Sequence, residues 1–296
     1  MSERLANGSG MAAIVIWCMT PAMLALTGNM PPFLLGAVSF LAAFAVALGW
    51  WVARGESLRD KFIMPWQAWA LGIGGFGLYN FLYIYSFKVG PTLEVNLLNY
   101  VWPACLIVTN CLLLRRAPDS YALGGIFFCL VGVFFVFSSR GMLSFSHDWL
   151  MMAAGVGCGV LWGVYSALSK VVPETRGRIP VFFLFTGLVM LGFHLAFEKT
   201  IWPQTGFAWI MLGGHTAGRI AFLLWDYAMK QGQARLIGSV SYFIPFFATV
   251  LLVAAGYGRF DMRLLVGGGL IIFGSITINL PMILRSLRPV QEEVVA

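Results

Sequence analysis

"YSFKVGPTLEVNLLNYVWP" spans residues 85–103, and "YAMKQGQARLIGSVSYFIP" spans residues 227–245. The second stretch matches the first at a constant shift of 142: Tyr85 with Tyr227, Lys88 with Lys230, Gly90 with Gly232, Tyr100 with Tyr242 and Pro103 with Pro245. The shift continues without a gap, Gly125 matching Gly267 and Gly132 matching Gly274, and Trp17 resembles Trp162 at a shift of 145. Apolar identities alone would mean little in so apolar a chain. Lysine, glycine, tyrosine and proline at matched positions mean more. The chain reads as two copies of one unit, residues 1–147 and 148–296.

Composition says what the unit is. Hydrophobic residues make up 59% of the chain and charged residues only 10%, where a soluble domain carries about 25% charge; the mean hydropathy is +0.83. Runs of roughly 20 apolar residues recur from end to end, and a buried soluble core explains one such run but not ten. The spacing predicts spans over 10–27, 33–53, 67–87, 91–114, 120–138, 149–170, 179–197, 207–230, 234–256 and 262–285. The expected fold class is all-α: a polytopic membrane protein of ten transmembrane helices, arranged as two inverted five-helix repeats. Five is odd, so the second copy must enter the bilayer upside down, an architecture suited to alternating access.

Ten spans put both termini on one side. Of the 19 lysines and arginines, Lys88, Arg140, Lys199, Arg259 and Arg263 fall on the far side and Arg219 falls inside a span; the rest lie with the termini. That bias predicts cytoplasmic termini and explains the net charge of +7 without nucleic acid. "MSERLANGSG" is short and polar and leads straight into a span, unlike a cleaved signal peptide. The five cysteines lie in apolar runs with no CxxC or Cys/His cluster, which argues against disulfides and a metal site. "GIGGFG" (72–77) follows no strand, so it is not a nucleotide loop. No catalytic dyad or HExxH stands out, and neither an enzyme nor a cofactor is expected. Gly155, Gly159 and Gly163 form a ridge for close helix packing.

The polar residues inside the spans carry the functional reading. Asn96, Asn99, Tyr100 and Pro103 share one helical face, and Gly238, Ser241, Tyr242 and Pro245 repeat it. Asn99 falls roughly 12 Å into its span at 1.5 Å per residue. Pro103 and Pro245 are expected to kink their helices and free the carbonyls of Asn99 and Ser241, and Pro21 that of Trp17. Freed carbonyls need either a wet cavity or a sealing neighbour. His215, Arg219, Phe222 and Asp226 line one face of span 8. Arg219 is too deep to snorkel, so it either pairs with Asp226 or meets an anionic group of a substrate. Trp162, Tyr165, Ser166 and Ser169 mark span 6, Tyr79, Asn80 and Tyr83 span 3, and Trp17 and Thr20 span 1. Tyr79, Tyr100 and Trp162 are too central for an interfacial belt. Glu94 reads as an entrance or interface residue near the outer surface, while His194 and His215 show no evident partner.

Ten spans, a five-plus-five repeat and "NLLNYVWP" (96–103) ahead of a glycine-bearing fifth span resemble the drug/metabolite transporter superfamily, in particular its ten-span exporter (EamA-like) branch. The resemblance covers essentially the whole chain. It implies a bacterial inner-membrane exporter of amino acids, aromatic or otherwise apolar, with a central cavity formed by spans 1, 3, 4, 6, 8 and 9. Four-span relatives couple protons to cationic drugs through a glutamate in their first helix; span 1 here has no acid, which points away from that mechanism. A broad drug or metabolite exporter is the alternative within transport, and a scramblase or receptor the alternative outside it. The expected substrate-binding residues are Trp17, Tyr79, Tyr83, Asn99, Tyr100, Trp162, Tyr165, Arg219 and Tyr242. In this reading Arg219 holds a carboxylate, Asn99 and the freed carbonyls meet an ammonium, and the aromatic rings pack the side chain. "KVGPT" and "KQGQA" act as paired hinges, and one chain suffices as a monomer in the lipid bilayer.

Overall fold

The computed structural model describes residues 3–138, 147–169, 171–172, 178–232, 240, 243–259 and 261–287. All regular structure among them is helical: α1 (Glu3–Ala25), α2 (Pro32–Ala53), α3 (Leu58–Phe62), α4 (Trp66–Ala70), a π-helical segment (Leu71–Gly77), α5 (Leu78–Val89), α6 (Thr92–Asn99), α7 (Trp102–Leu114), α8 (Ser120–Ser138), α9 (His147–Leu168), α10 (Ile179–Phe197), α11 (Gly206–Gln231), α12 (Ile244–Ala254) and α13 (Met262–Leu287). Among the described residues, seven stretches can cross a membrane by length and composition: α1, α2, Thr92–Leu114, α8, α9, α10 and α11 through Trp225. Residues 66–89 and the helices α12 and α13 add further apolar helical segments.

Several boundaries move from the sequence reading. The first helix begins at Glu3, seven residues before the expected start, because the end of α11 covers its first turns. Ala6 is fully buried, and a side chain on Gly232 would strike Asn7 Oδ1. The expected span over 91–114 is two helices broken at Tyr100–Val101. Pro103 is therefore not a mid-helix kink but the second residue of α7, and Pro245 is likewise the second residue of α12. Proline fits there, where its missing N–H has no helical acceptor to lose. Pro21 sits inside α1, which runs through it unbroken. The four glycines of "LGIGGFG" pass through π-helix, a rare form that tends to mark functional positions.

The 142-residue shift reappears in the backbone. Helices α7 and α12 begin at Trp102 and Ile244, and α8 and α13 at Ser120 and Met262. Gly90 closes α5 with φ −110°, ψ −170°, and Gly232 closes α11 with φ −110°, ψ −173°. These are extended conformations open to any residue; glycine is needed for closeness. A Cβ on Gly90 would lie 2.4 Å from Met151 Cβ, and one on Gly232 2.7 Å from Asn7 Oδ1.

Packing between the halves is reciprocal. Helix α1 packs on α11 and α12, while α9 packs on α5, α6 and α7. Helix α2 pairs with α10, and α8 with α13. In the last pair Gly125 abuts Gly274 and Gly132 abuts Gly267, so the two helices run in opposite directions. Such self-complementary contact is what a two-fold relation produces. In lipid, where apolar burial gives little advantage, close approach over small residues supplies the attraction. A Cβ on Gly125 would stand 2.5 Å from the Gly274 carbonyl oxygen. Gly125→Val should therefore cost about 1–3 kcal/mol through overpacking. Gly124→Val, at a position with nothing within 4 Å, should leave thermal unfolding of the detergent-solubilised protein unchanged. Equal melting of the two variants would refute this packing.

Candidate functional site

The deepest polar cluster is built by three helices. Arg219 lies near the middle of the 26-residue α11 and is 5% exposed. Its Nη1 donates to Asn80 Oδ1 at 3.0 Å, and its Nη2 donates to His215 Nε2 at 2.6 Å, one turn earlier on the same helix. The guanidinium carbon stands 4.4 Å from the Phe40 ring centroid, a cation–π contact from α2. Asn80 is held in turn, its Nδ2 donating to the Phe76 carbonyl at 2.9 Å at the end of the π-helical segment.

Among the described residues the guanidinium is thus oriented but not neutralised. Both side-chain partners are uncharged in these contacts, since a histidine nitrogen that accepts a hydrogen bond carries no proton. No carboxylate of the described residues forms an ion pair with Arg219. The Asp226 side chain, the partner considered from spacing, lies outside the described residues. Arg219 Nε and His215 Nδ1 are buried without a hydrogen-bond partner. A buried cation with spare donors costs several kcal/mol unless an anion or water joins it.

An aromatic set extends from this cluster. Phe222, three residues after Arg219, is the hub, with ring centroids 5.2 Å from Trp17, 5.3 Å from Phe76 and 5.7 Å from Trp162. Trp162 lies 5.0 Å from Tyr79 and 5.4 Å from Tyr165, and Tyr79 lies 5.9 Å from Tyr83. Tyr100 packs with Trp17 and Trp225 around Ile14, Cys18 and Ile244. Trp17, Tyr79, Tyr100 and Trp162 keep part of their surface open, although their neighbours come from inward faces of α1, α5, α9 and α11. From α5, Tyr83 donates from its hydroxyl to Asn96 Oδ1 on α6 at 3.2 Å. Asn96 Nδ2 and Asn99 Oδ1 are buried and unpartnered.

The structure thus gathers Trp17, Tyr79, Tyr83, Trp162 and Tyr165 into one ring set beside Arg219, with Asn99 and Tyr100 on the adjoining broken helix. Tyr242 and Ser241 lie outside the described residues. Three expectations need correction. The Asn99 carbonyl does not open toward a cavity: a Cβ on Gly159 would sit 2.7 Å from it, so the α9 glycine ridge seals it. Of the two readings of Glu94, entrance or interface, the open entrance is excluded, since Glu94 is 2% exposed in the first turn of α6. Both histidines have partners, His215 in Arg219 and His194 in Glu198 and Thr200. Spacing alone did not give Phe40 or Phe76, which sit on apolar faces with nothing to set them apart. Phe222 and His215 carried a usable signal, their i+3 and i−4 offsets from Arg219.

Two comparisons with known proteins agree on kinship. The sequence profile of the EamA-like transporter family matches the chain twice, over residues 6–138 and 149–280. The chain is similar to a protein named as an aromatic amino acid exporter, YddG, from Ancylobacter novellus: 33% identity over 290 residues, covering 95% of this chain and 99% of that one. A solved crystal structure is similar in fold, with TM-score 0.70 and 31% identity, covering 93% of this chain and 98% of the other.

Removing the Asn80 amide leaves an Arg219 donor without its acceptor. Asn80→Leu should destabilise the solubilised protein by about 1.5–3 kcal/mol, the worth of a hydrogen bond to a charged group, seen as a lower melting temperature. An unchanged melting temperature would mean that Asn80 does not hold the guanidinium.

Proposed function

This chain belongs to the EamA-like transporter family, and on that footing we propose that it exports amino acids, aromatic ones included, across the bacterial inner membrane by alternating access. The observation that carries the reading is the buried Arg219 guanidinium with two neutral side-chain partners, a spare Nε–H and no carboxylate among the described residues. A zwitterionic substrate supplies what is missing. Its carboxylate compensates the guanidinium, whose planar fork suits that geometry. Its ammonium finds an acceptor in Asn99 Oδ1, buried and unpartnered. The partly open rings of Trp17, Tyr79, Tyr100 and Trp162 then hold an apolar or aromatic side chain.

Around this site, in this reading, the ten apolar helical segments form ten spans, the two halves inverted relative to each other, with both termini cytoplasmic as the lysine and arginine bias predicts. The reciprocal packing of α1 and α9 and the antiparallel pair α8/α13 support that arrangement. Two related halves can open toward either side at similar energy. The glycines that close α5 and α11 are the natural pivots, and one chain encloses the whole path.

Arg219→Ala should reduce export of labelled tryptophan from proteoliposomes on the order of 30-fold or more, the effect of the 2–5 kcal/mol lost when one member of a buried charged pair is truncated. Arg219→Lys keeps the charge without the fork, so it should fold and retain intermediate flux. Full flux through a folded Arg219→Ala variant would contradict the carboxylate role.

A further inference from the structure

Outside the central cluster, the molecule has a second built feature: an open groove of about 670 Å³ where α2 begins and α5 and α10 end. Its floor is aromatic. Phe33 stacks on Tyr85 at 5.3 Å and on Phe81 at 4.7 Å, and Phe81 meets Phe193 edge-on at 4.8 Å. Phe197 continues the wall and is 75% exposed.

The mouth of the groove carries two charged residues with different fates. Glu198 is fully committed: Oε1 accepts from the Phe33 N–H at 2.9 Å, and Oε2 accepts from the Leu34 N–H at 3.0 Å and contacts His194 Nδ1 at 2.9 Å. It caps the start of α2 and ties it to the end of α10. Lys199 is exposed and forms no ion pair among the described residues. The exposed charge at the mouth is therefore the Lys199 ammonium, above an apolar trough at a helix end, while the Glu198 carboxylate, 11% exposed, is turned into the N-terminus of α2. Helix α10 has hydropathy 2.0 and stops at Phe197, which sets the trough at the edge of the hydrocarbon, where aromatic rings and snorkelling lysines collect.

We propose that this groove binds an anionic phospholipid, with an acyl chain on the Phe33, Phe81, Tyr85 and Phe193 floor and the headgroup phosphate at Lys199. The assignment does not depend on what the protein transports. It has a mechanical consequence for α5. Phe81 and Tyr85 occupy one side of that helix, while Tyr79 and Tyr83 occupy the other and face the central ring set. The bound lipid backs the helix that carries Asn80.

Native mass spectrometry of the purified full-length protein, offered phosphatidylglycerol or phosphatidylethanolamine, tests this directly. Wild type should retain one phosphatidylglycerol in preference to phosphatidylethanolamine. Lys199→Gln should weaken that retention about fivefold, the contribution of one basic side chain at an anionic lipid surface, and Lys199→Arg should restore it. Arg59→Gln, on the connector after α2, should leave it unchanged. Equal retention by wild type and Lys199→Gln, or an equal loss in Arg59→Gln, would reduce the lipid to a non-specific shell and overturn the proposal. Stoichiometric displacement of the lipid by tryptophan would also overturn it, by assigning the groove to the transported solute.

Discussion

A guanidinium buried halfway along a transmembrane helix, with neutral side-chain partners, governs the organisation of this protein. At that depth an arginine is tolerated only if its hydrogen bonds and its charge are both answered. Asn80, His215 and Phe40 answer the first need from α5, α11 and α2. The second is unanswered by any described carboxylate. The cluster is thus arranged to accept an anion, and the aromatic set around Phe222 gives that anion an apolar companion.

Bringing those helices together requires backbones that nearly touch. The glycines of α8 and α13 let two helices cross in opposite directions with each glycine against a carbonyl of the other helix, and the α9 ridge admits the broken α6/α7 helix. The contact of Gly159 with Asn99 explains how a helix break can persist in the bilayer: the exposed carbonyl is covered by a neighbouring helix, not by solvent. The break also frees the Asn99 and Tyr100 side chains from a continuous helical face. Glycine at Gly90 and Gly232 serves the same purpose at the helix ends, by allowing close approach and not by permitting a left-handed backbone.

Much of this was legible from residue types and spacing. The 142-residue shift and the apolar runs located the paired helix starts at Ser120 and Met262, while the starts at Trp102 and Ile244 were read as kinks inside longer spans. Arg219 was legible because a deep charge is costly wherever it sits. What could not be read was which neighbour answers each polar group. His215 lacked a partner in the sequence because its partner lies one turn along its own helix, and a histidine beside an arginine, two basic side chains, does not suggest a hydrogen bond. The sealing of the Asn99 carbonyl was hidden because it depends on the α9 crossing, a long-range contact. The π-helical segment was hidden too, since a glycine-rich run is compatible with many backbones.

The central claim is that the site is built for a carboxylate beside an aromatic side chain. Binding of tryptophan and of tryptamine, its decarboxylated amine, to the purified protein by calorimetry separates this from recognition of the ring or the ammonium alone. The account predicts tryptamine binding at least about 30-fold weaker than tryptophan; equal affinity for the two would contradict it.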